Sequence, residues 1–185
     1  MNIPNALTIL RLFLVPVFVF TYMLSGDIST RIVAASVFVI ASATDVLDGY
    51  IARKYNKITD FGKLADPVAD KLMQLSAIGC LAFSGRISMW MLAVFAFKEA
   101  VLILGGLNLL KEKFVVQSKW SGKIATVILF ICVVVIIITD ETMLSCRRAT
   151  MIMTISLIVT ACAFFDYLKM YIRVKDNLQK SKENK

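Results

Sequence analysis

The chain has 185 residues, 58% of them hydrophobic and only 18% charged, with a formal net charge of +8 and no histidine. A soluble domain would run nearer about 45–50% apolar and about 25% charged, so the mean hydropathy of +0.76 points to a single integral membrane domain. Histidine-based catalysis and histidine metal ligation are excluded, and the basic residues fall in short runs between apolar segments, which suits anionic lipids and substrates and argues against nucleic acid.

A helix needs roughly 20 apolar residues to cross a bilayer, and six stretches qualify, some with polar interruptions. The fold class is therefore all-α, an integral membrane bundle of six transmembrane helices. The first predicted span covers 6–24, behind a short N-terminal interfacial segment that Pro4 sets apart from it. No lysine precedes this span and no small-x-small cleavage site follows, so it reads as a retained helix and not a signal peptide. The second span covers 31–51, the third 66–84 and the fourth 87–110. The fourth contains Gly105-Gly106, which permits close approach of another helix, within the monomer or across a homodimer. The fifth, 124–139, holds the purest apolar run, Val133 to Ile138, and looks short unless it begins nearer Trp120. The sixth covers 149–168. Residues 1–175 form the transmembrane domain, and 176–185 a polar tail expected to fray. Cys80, Cys132, Cys146 and Cys162 lack metal-type spacing and read as packing residues.

Lysine and arginine placement sets the orientation. With the N-terminus inside, the cytoplasmic loops and tail carry fourteen basic residues, against four outside: Arg31, Arg86, Arg147 and Arg148. Both termini, and the loop between the second and third spans, then face the cytoplasm.

That loop is flanked by four aspartates, Asp45, Asp48, Asp66 and Asp70. Offsets of three and four place each pair on one helical face, about 5–6 Å apart at Cβ. Gly49 and Ala52 share the first face and Gly62 the second, while Arg53 falls near the first pair. Pro67 is expected in the first turn of the third helix, where its missing N–H costs nothing. Carboxylates so clustered repel one another unless a cation holds them, and an all-oxygen donor set suits Mg²⁺ or Mn²⁺ better than zinc. The competing reading is an ion or proton pathway.

The run from Asp45 to Asp70 reads D-x2-D-G-x2-A-R-x8-G-x3-D-x3-D. It resembles the signature of the CDP-alcohol phosphatidyltransferases at all eight fixed positions, Asp45, Asp48, Gly49, Ala52, Arg53, Gly62, Asp66 and Asp70. Eight identities at fixed spacing outweigh the ion-pathway reading. The resemblance implies an enzyme in which Asp45, Asp48 and Asp66 coordinate two divalent ions that hold the diphosphate of CDP-diacylglycerol. It implies that Asp70 is the general base while also touching a metal. Gly49, Ala52 and Gly62 would line the nucleotide pocket, and Arg53 would reach a phosphate. The implied setting is the cytoplasmic membrane, with the site open to the cytoplasm and homodimers frequent in the family.

The opening from Asn2 to Arg11 and the segment Gly122-Lys123-Ile124-Ala125-Thr126 resemble those of phosphatidylglycerophosphate synthases and of related cardiolipin synthases. The expected acceptor is glycerol 3-phosphate, with phosphatidylglycerol as the alternative. A phosphate dianion needs cations, and the candidates are Arg11, Lys98, Lys119 and Lys123. Lys98 lies deep in the fourth span and is costly there unless paired. Glu99 is next in sequence, but neighbours point about 100° apart on a helix and are not automatic partners. A snorkelling lysine is the alternative. Many phosphatidylglycerophosphate synthases carry arginine followed by an acid here, and Lys98-Glu99 departs from that. Lys119 and Lys123 lie four apart on a potential helix face beside Trp120.

Overall fold

The computed structural model describes the backbone of residues 3–54, 60–111, 120–140 and 142–183. Side chains are described for residues 6–47, 68–104, 120, 122–140, 142–165, 167–169 and 171–172. Among the described residues all regular structure is helical: α1 (Ile3–Met23), α2 (Ile28–Lys54), α3 (Asp60–Phe83), α4 (Met89–Lys111), α5 (Trp120–Ile138) and α6 (Cys146–Glu183). Three helices contain stretches long and apolar enough to cross a membrane, Ala6–Met23, Ile28–Leu47 and Cys146–Lys169, and a shorter apolar stretch covers Gly122–Ile138. At 24 and 23 residues, α3 and α4 have comparable length but carry charges part-way along. The whole is a membrane helical bundle.

Three local expectations are corrected. α1 runs unbroken from Ile3, so Pro4 sits in its first turn and does not separate an interfacial segment. α3 starts at Asp60, which puts Pro67 well inside the helix instead of in its opening turn. α6 continues to Glu183, through the stretch expected to fray. The cause is the same each time: an apolar run marks the thickness of the bilayer, whereas backbone hydrogen bonding propagates past it into polar sequence.

α1 packs on α2 and α3, α5 packs on α6, and α2 and α3 in turn meet α5 and α4. Ala34, Ala35 and Ala41 of α2 and Ala77 of α3 are buried at these contacts. Short side chains matter here, because lipid tails are as apolar as the helices and association relies on close packing. Phe18, Phe38 and Phe130 tie α1, α2 and α5 together, with ring centroids 5.6 Å and 5.5 Å apart. Larger apolar side chains such as Phe13, Phe20 and Ile155 point outward, as a lipid-facing surface requires.

The end of the bundle remote from the aspartates is held by polar contacts. α3 stops at Gly85, whose φ of 74° is left-handed and open to glycine without strain. The Arg86 N–H reaches Leu81 O and the Gly85 N–H reaches Ala82 O, a Schellman closure. That turn aims the buried Arg86 side chain at the last turn of α5, where it donates to Ile136 O at 2.5 Å and to Thr139 O. Arg31 donates to Thr139 O at 3.3 Å and pairs with Asp140 at 2.9 Å. Cations placed here answer the orphan carbonyls and the negative end of the helix dipole. The hydrogen bond from Arg31 also holds the Asp140 carboxyl below its ordinary value. Tyr22 and Ser84 hydroxyls meet at 2.8 Å, joining α1 to the α3 terminus.

Candidate active site

Asp45 and Asp70 come together on one cavity of about 330 Å³ between α1, α2, α3 and α5. Arg11 and Gln74 supply its other charged or amide groups, while Phe38, Met73, Leu129, Phe130 and Val133 give it an apolar wall. Phe38 lies seven residues before Asp45, about two helical turns further from the loop that joins the acidic helices. The polar groups therefore sit toward that loop and the apolar wall extends away from it. Such a chamber accommodates a ligand charged at one end and greasy at the other.

Asp45 is reached by Arg11 of α1, whose Nη1 lies 2.7 Å from Oδ1; the arginine side chain is 1% exposed and the aspartate 39%. The pairing depends on α1 crossing α2 at this level. Asp70 is held by its own helix: Gln74, one turn on, places Nε2 3.2 Å from both carboxylate oxygens. The Oε1 of Gln74 is buried and has no hydrogen-bond partner among the described residues, and this residue lines the cavity. Lys71 Nζ stands 3.6 Å from Asp70 Oδ2 and 3.3 Å from Glu99 Oε2. Lys98 Nζ lies 2.7 Å from the other Glu99 oxygen and 5.6 Å from the Phe95 ring centroid. Asp70 is thus linked through Lys71 to a buried carboxylate on α4 and through it to Lys98.

Lys98 is therefore paired in the interior by its own sequence neighbour. Adjacent residues point about 100° apart on a helix and are not automatic partners, but a lysine has enough rotatable bonds to fold back. Lys71, Gln74 and Glu99 were missed in the sequence as site residues. Two signals were available: charges inside apolar runs at 71 and 99, and the i, i+4 offset of Gln74 from Asp70.

Asp48, Gly49, Ala52 and Arg53 continue α2 beyond Asp45, and Gly62 and Asp66 precede Asp70 in α3. Their helical backbone keeps the three- and four-residue offsets on common faces; their side chains lie outside the described residues, as does Lys119. Lys123 is exposed, with Nζ 5.2 Å from the Trp120 ring centroid, and is not part of the cavity wall. Thr126, three residues later, is. Among the described residues no group of three or more acids, cysteines or histidines converges as a metal site. Asp45 and Asp70 nevertheless offer carboxylate oxygens to one cavity whose lining, among the described residues, contains no thiol or imidazole, and that chemistry fits a hard divalent cation.

Two carboxylates and an arginine on a half-apolar chamber inside a helical bundle define a membrane protein whose interior suits a ligand with a charged and an apolar end. A family model described as CDP-alcohol phosphatidyltransferase matches residues 1–164, and the chain belongs to that family. The family is generally dependent on divalent metals. The chain is 49% identical over 80 residues to the CDP-diacylglycerol–glycerol-3-phosphate 3-phosphatidyltransferase of Rickettsia bellii, an alignment covering 43% of this chain and 41% of that protein. It spans about two fifths of the length of the Rickettsia relatives it matches. It is 36% identical over 136 residues to the protein of the same name in Bacillus subtilis, covering 68% of this chain and 70% of the relative. A probable phosphatidylglycerophosphate synthase of Mycobacterium tuberculosis is 29% identical over 174 residues, covering 93% and 82%.

Proposed function

We propose that this chain transfers the phosphatidyl group of CDP-diacylglycerol to glycerol 3-phosphate, giving phosphatidylglycerophosphate and CMP at the cytoplasmic membrane. The observation that carries this reading is the convergence of Asp45 and Asp70 on a chamber with an apolar wall. The names of the relatives support the choice of acceptor.

In the proposed reaction the acceptor hydroxyl oxygen bonds to the β-phosphorus, the bond from that phosphorus to the CMP oxygen breaks, and the hydroxyl proton passes to Asp70. Gln74 fixes the plane of the Asp70 carboxylate through its amide N–H groups. Arg11 holds Asp45 in the orientation its ligand role needs. Gly49, Ala52 and Gly62 line the nucleotide, and Arg53 reaches a phosphate. Asp45, Asp48, Asp66 and Asp70 would hold two Mg²⁺ or Mn²⁺ ions, which when bound neutralise the diphosphate and stabilise the departing CMP. Of the acceptor-phosphate candidates Arg11, Lys98, Lys119 and Lys123, Lys98 has the strongest support, since its ion-pair network reaches Asp70. Contact with Asp45 favours a donor-side role for Arg11.

All six helices span the bilayer in this reading, with both termini and the polar mouth in the cytoplasm. The fourteen-to-four basic asymmetry supports that orientation. The assembly is taken as a homodimer, on the strength of the family resemblance.

The test is acceptor-dependent CMP release by the purified full chain in lipid nanodiscs. Release is expected with CDP-diacylglycerol, Mg²⁺ and glycerol 3-phosphate, and is expected to stop on addition of EDTA. Release with phosphatidylglycerol but not glycerol 3-phosphate would replace the acceptor, and no release with any acceptor would remove the reading.

A further inference from the structure

We propose that Glu99 is a positioning residue, which aims the ammonium groups of Lys71 and Lys98 at the phosphate of the acceptor beside Asp70. The inference rests on the reaction proposed above and assigns roles to Lys71 and Glu99 within it. Glu99 lies near the middle of α4 and is 2% exposed, whereas Lys71 and Lys98 are 21% and 13% exposed. The carboxylate is thus more deeply buried than either cation it holds, and Lys71 joins it to Asp70 on the cavity wall.

Charge arithmetic separates this arrangement from simple neutralisation. A carboxylate buried at membrane depth needs one cation; here each Glu99 oxygen has its own, from two different helices. The group of three is left with one positive charge in excess. Asp70 answers part of it through Lys71 at 3.6 Å, yet the Asp70 oxygens are shared with Gln74 and, during reaction, with the acceptor hydroxyl. With Asp70 counted the four groups sum to zero. When Asp70 takes the acceptor proton its charge is lost, and the phosphate of the same small acceptor then answers the excess. The three-carbon backbone of glycerol 3-phosphate keeps its phosphate within a side-chain length of the hydroxyl that Asp70 deprotonates. The ammonium group of Lys71 beside Asp70, with that of Lys98 joined to it through Glu99, is where that phosphate is expected to lie.

The two possible roles of Glu99 predict opposite signs. If it merely lowers the local positive potential, removing its charge strengthens phosphate binding. If it holds the two lysines in place, removing its charge lets two like charges separate, and phosphate binding weakens. The experiment compares Glu99→Gln, Lys71→Met and the double variant with the unaltered full chain in nanodiscs, using CDP-diacylglycerol and Mg²⁺. It reads KM for glycerol 3-phosphate, KM for CDP-diacylglycerol, and inhibition by inorganic phosphate. Each single variant is expected to raise the KM for glycerol 3-phosphate and the phosphate inhibition constant about tenfold, with the lipid-nucleotide KM changed less than about twofold. Because the residues act as a unit, the double variant is expected to be little worse than either single one. A fall in the acceptor KM of Glu99→Gln, equal rises in both KM values, or unaltered KM values would each overturn the proposal. Should Glu99→Gln not fold, as loss of CDP-diacylglycerol binding would reveal, Glu99→Asp decides. It keeps the charge but draws it back by one methylene, so a raised acceptor KM supports the positioning role and an unaltered one overturns it. An unaltered protein that is inactive with glycerol 3-phosphate overturns the acceptor reading and this inference together. An active protein whose variants keep a normal acceptor KM overturns the inference alone.

Discussion

Both ends of the bundle bury arginines, at very different partners. Away from the aspartates, Arg86 and Arg31 close on the final carbonyls of α5 and on Asp140, so the cations there answer the protein's own backbone and loop. At the other end Arg11 reaches a carboxylate that is 39% exposed, and Asp70 and Gln74 face the same cavity. The Gln74 Oε1 there has no hydrogen-bond partner among the described residues, and two lysines share one buried carboxylate. Polar groups in a folded interior are normally satisfied. Arg31, Arg86 and Asp140 also line a cavity, of about 1070 Å³, but there the cations bind backbone carbonyls and Asp140. At the other end two carboxylates, Asp45 and Asp70, face a smaller chamber with one arginine beside them, an arrangement that suits a cationic or metal-bound ligand.

That contrast can be broken by mutation, and the largest effect is expected at the base. Asp70→Asn should lower kcat by about 10²–10⁴-fold, the usual scale for loss of a general base, while leaving CDP-diacylglycerol affinity within a few-fold. Normal turnover in this variant removes Asp70 from its proposed role. Asp45→Asn should weaken metal-dependent CDP-diacylglycerol binding about tenfold or more, measured by titration with and without Mg²⁺. An unchanged metal dependence would count against Asp45 as a ligand.

Arg86→Ala tests the opposite end. Taking the Arg86 donor from the Ile136 carbonyl, while Arg31 still reaches Thr139, should cost about 1–3 kcal/mol and lower the thermal midpoint, while both KM values stay at the level of the unaltered protein. A selective change in acceptor KM would mean that the two ends are not functionally separate. Lys123→Ala should raise the acceptor KM slightly more than that of the lipid nucleotide. Equal effects would make it a general electrostatic contributor, in keeping with its position over Trp120.

The smallest expected effect concerns pH. The Arg31 hydrogen bond holds Asp140 below its ordinary value of 3.8, so ionised Asp140 favours the folded state. Its contribution is present above that value and disappears as pH falls through the lower folded one. The acid limb of a thermal-midpoint profile should therefore be shallower in Arg31→Ala, with the profiles parallel from pH 5 upward. Identical acid limbs would show that the pair is thermodynamically silent.

Length and spacing made much of this molecule legible beforehand. The apolar runs locate all six helices because the hydrophobic thickness of a bilayer demands a near-constant number of residues. The offsets from Asp45 to Asp48 and from Asp66 to Asp70 imply shared faces, since helical periodicity is a local property. Helix ends were less readable: Asp60 begins α3 and Glu183 ends α6 in polar sequence, where hydrophobicity says nothing about backbone hydrogen bonding.

What the amino-acid order alone determined is the all-helical membrane architecture and the acidic motif, both set by periodicity and composition over short stretches. Only tertiary packing decided that Arg11 meets Asp45, that Lys71 bridges Asp70 to Glu99, and that Thr126 but not Lys123 lines the cavity. These contacts depend on how each helix is rotated against its neighbours and on where long, flexible side chains come to rest. No local pattern encodes either.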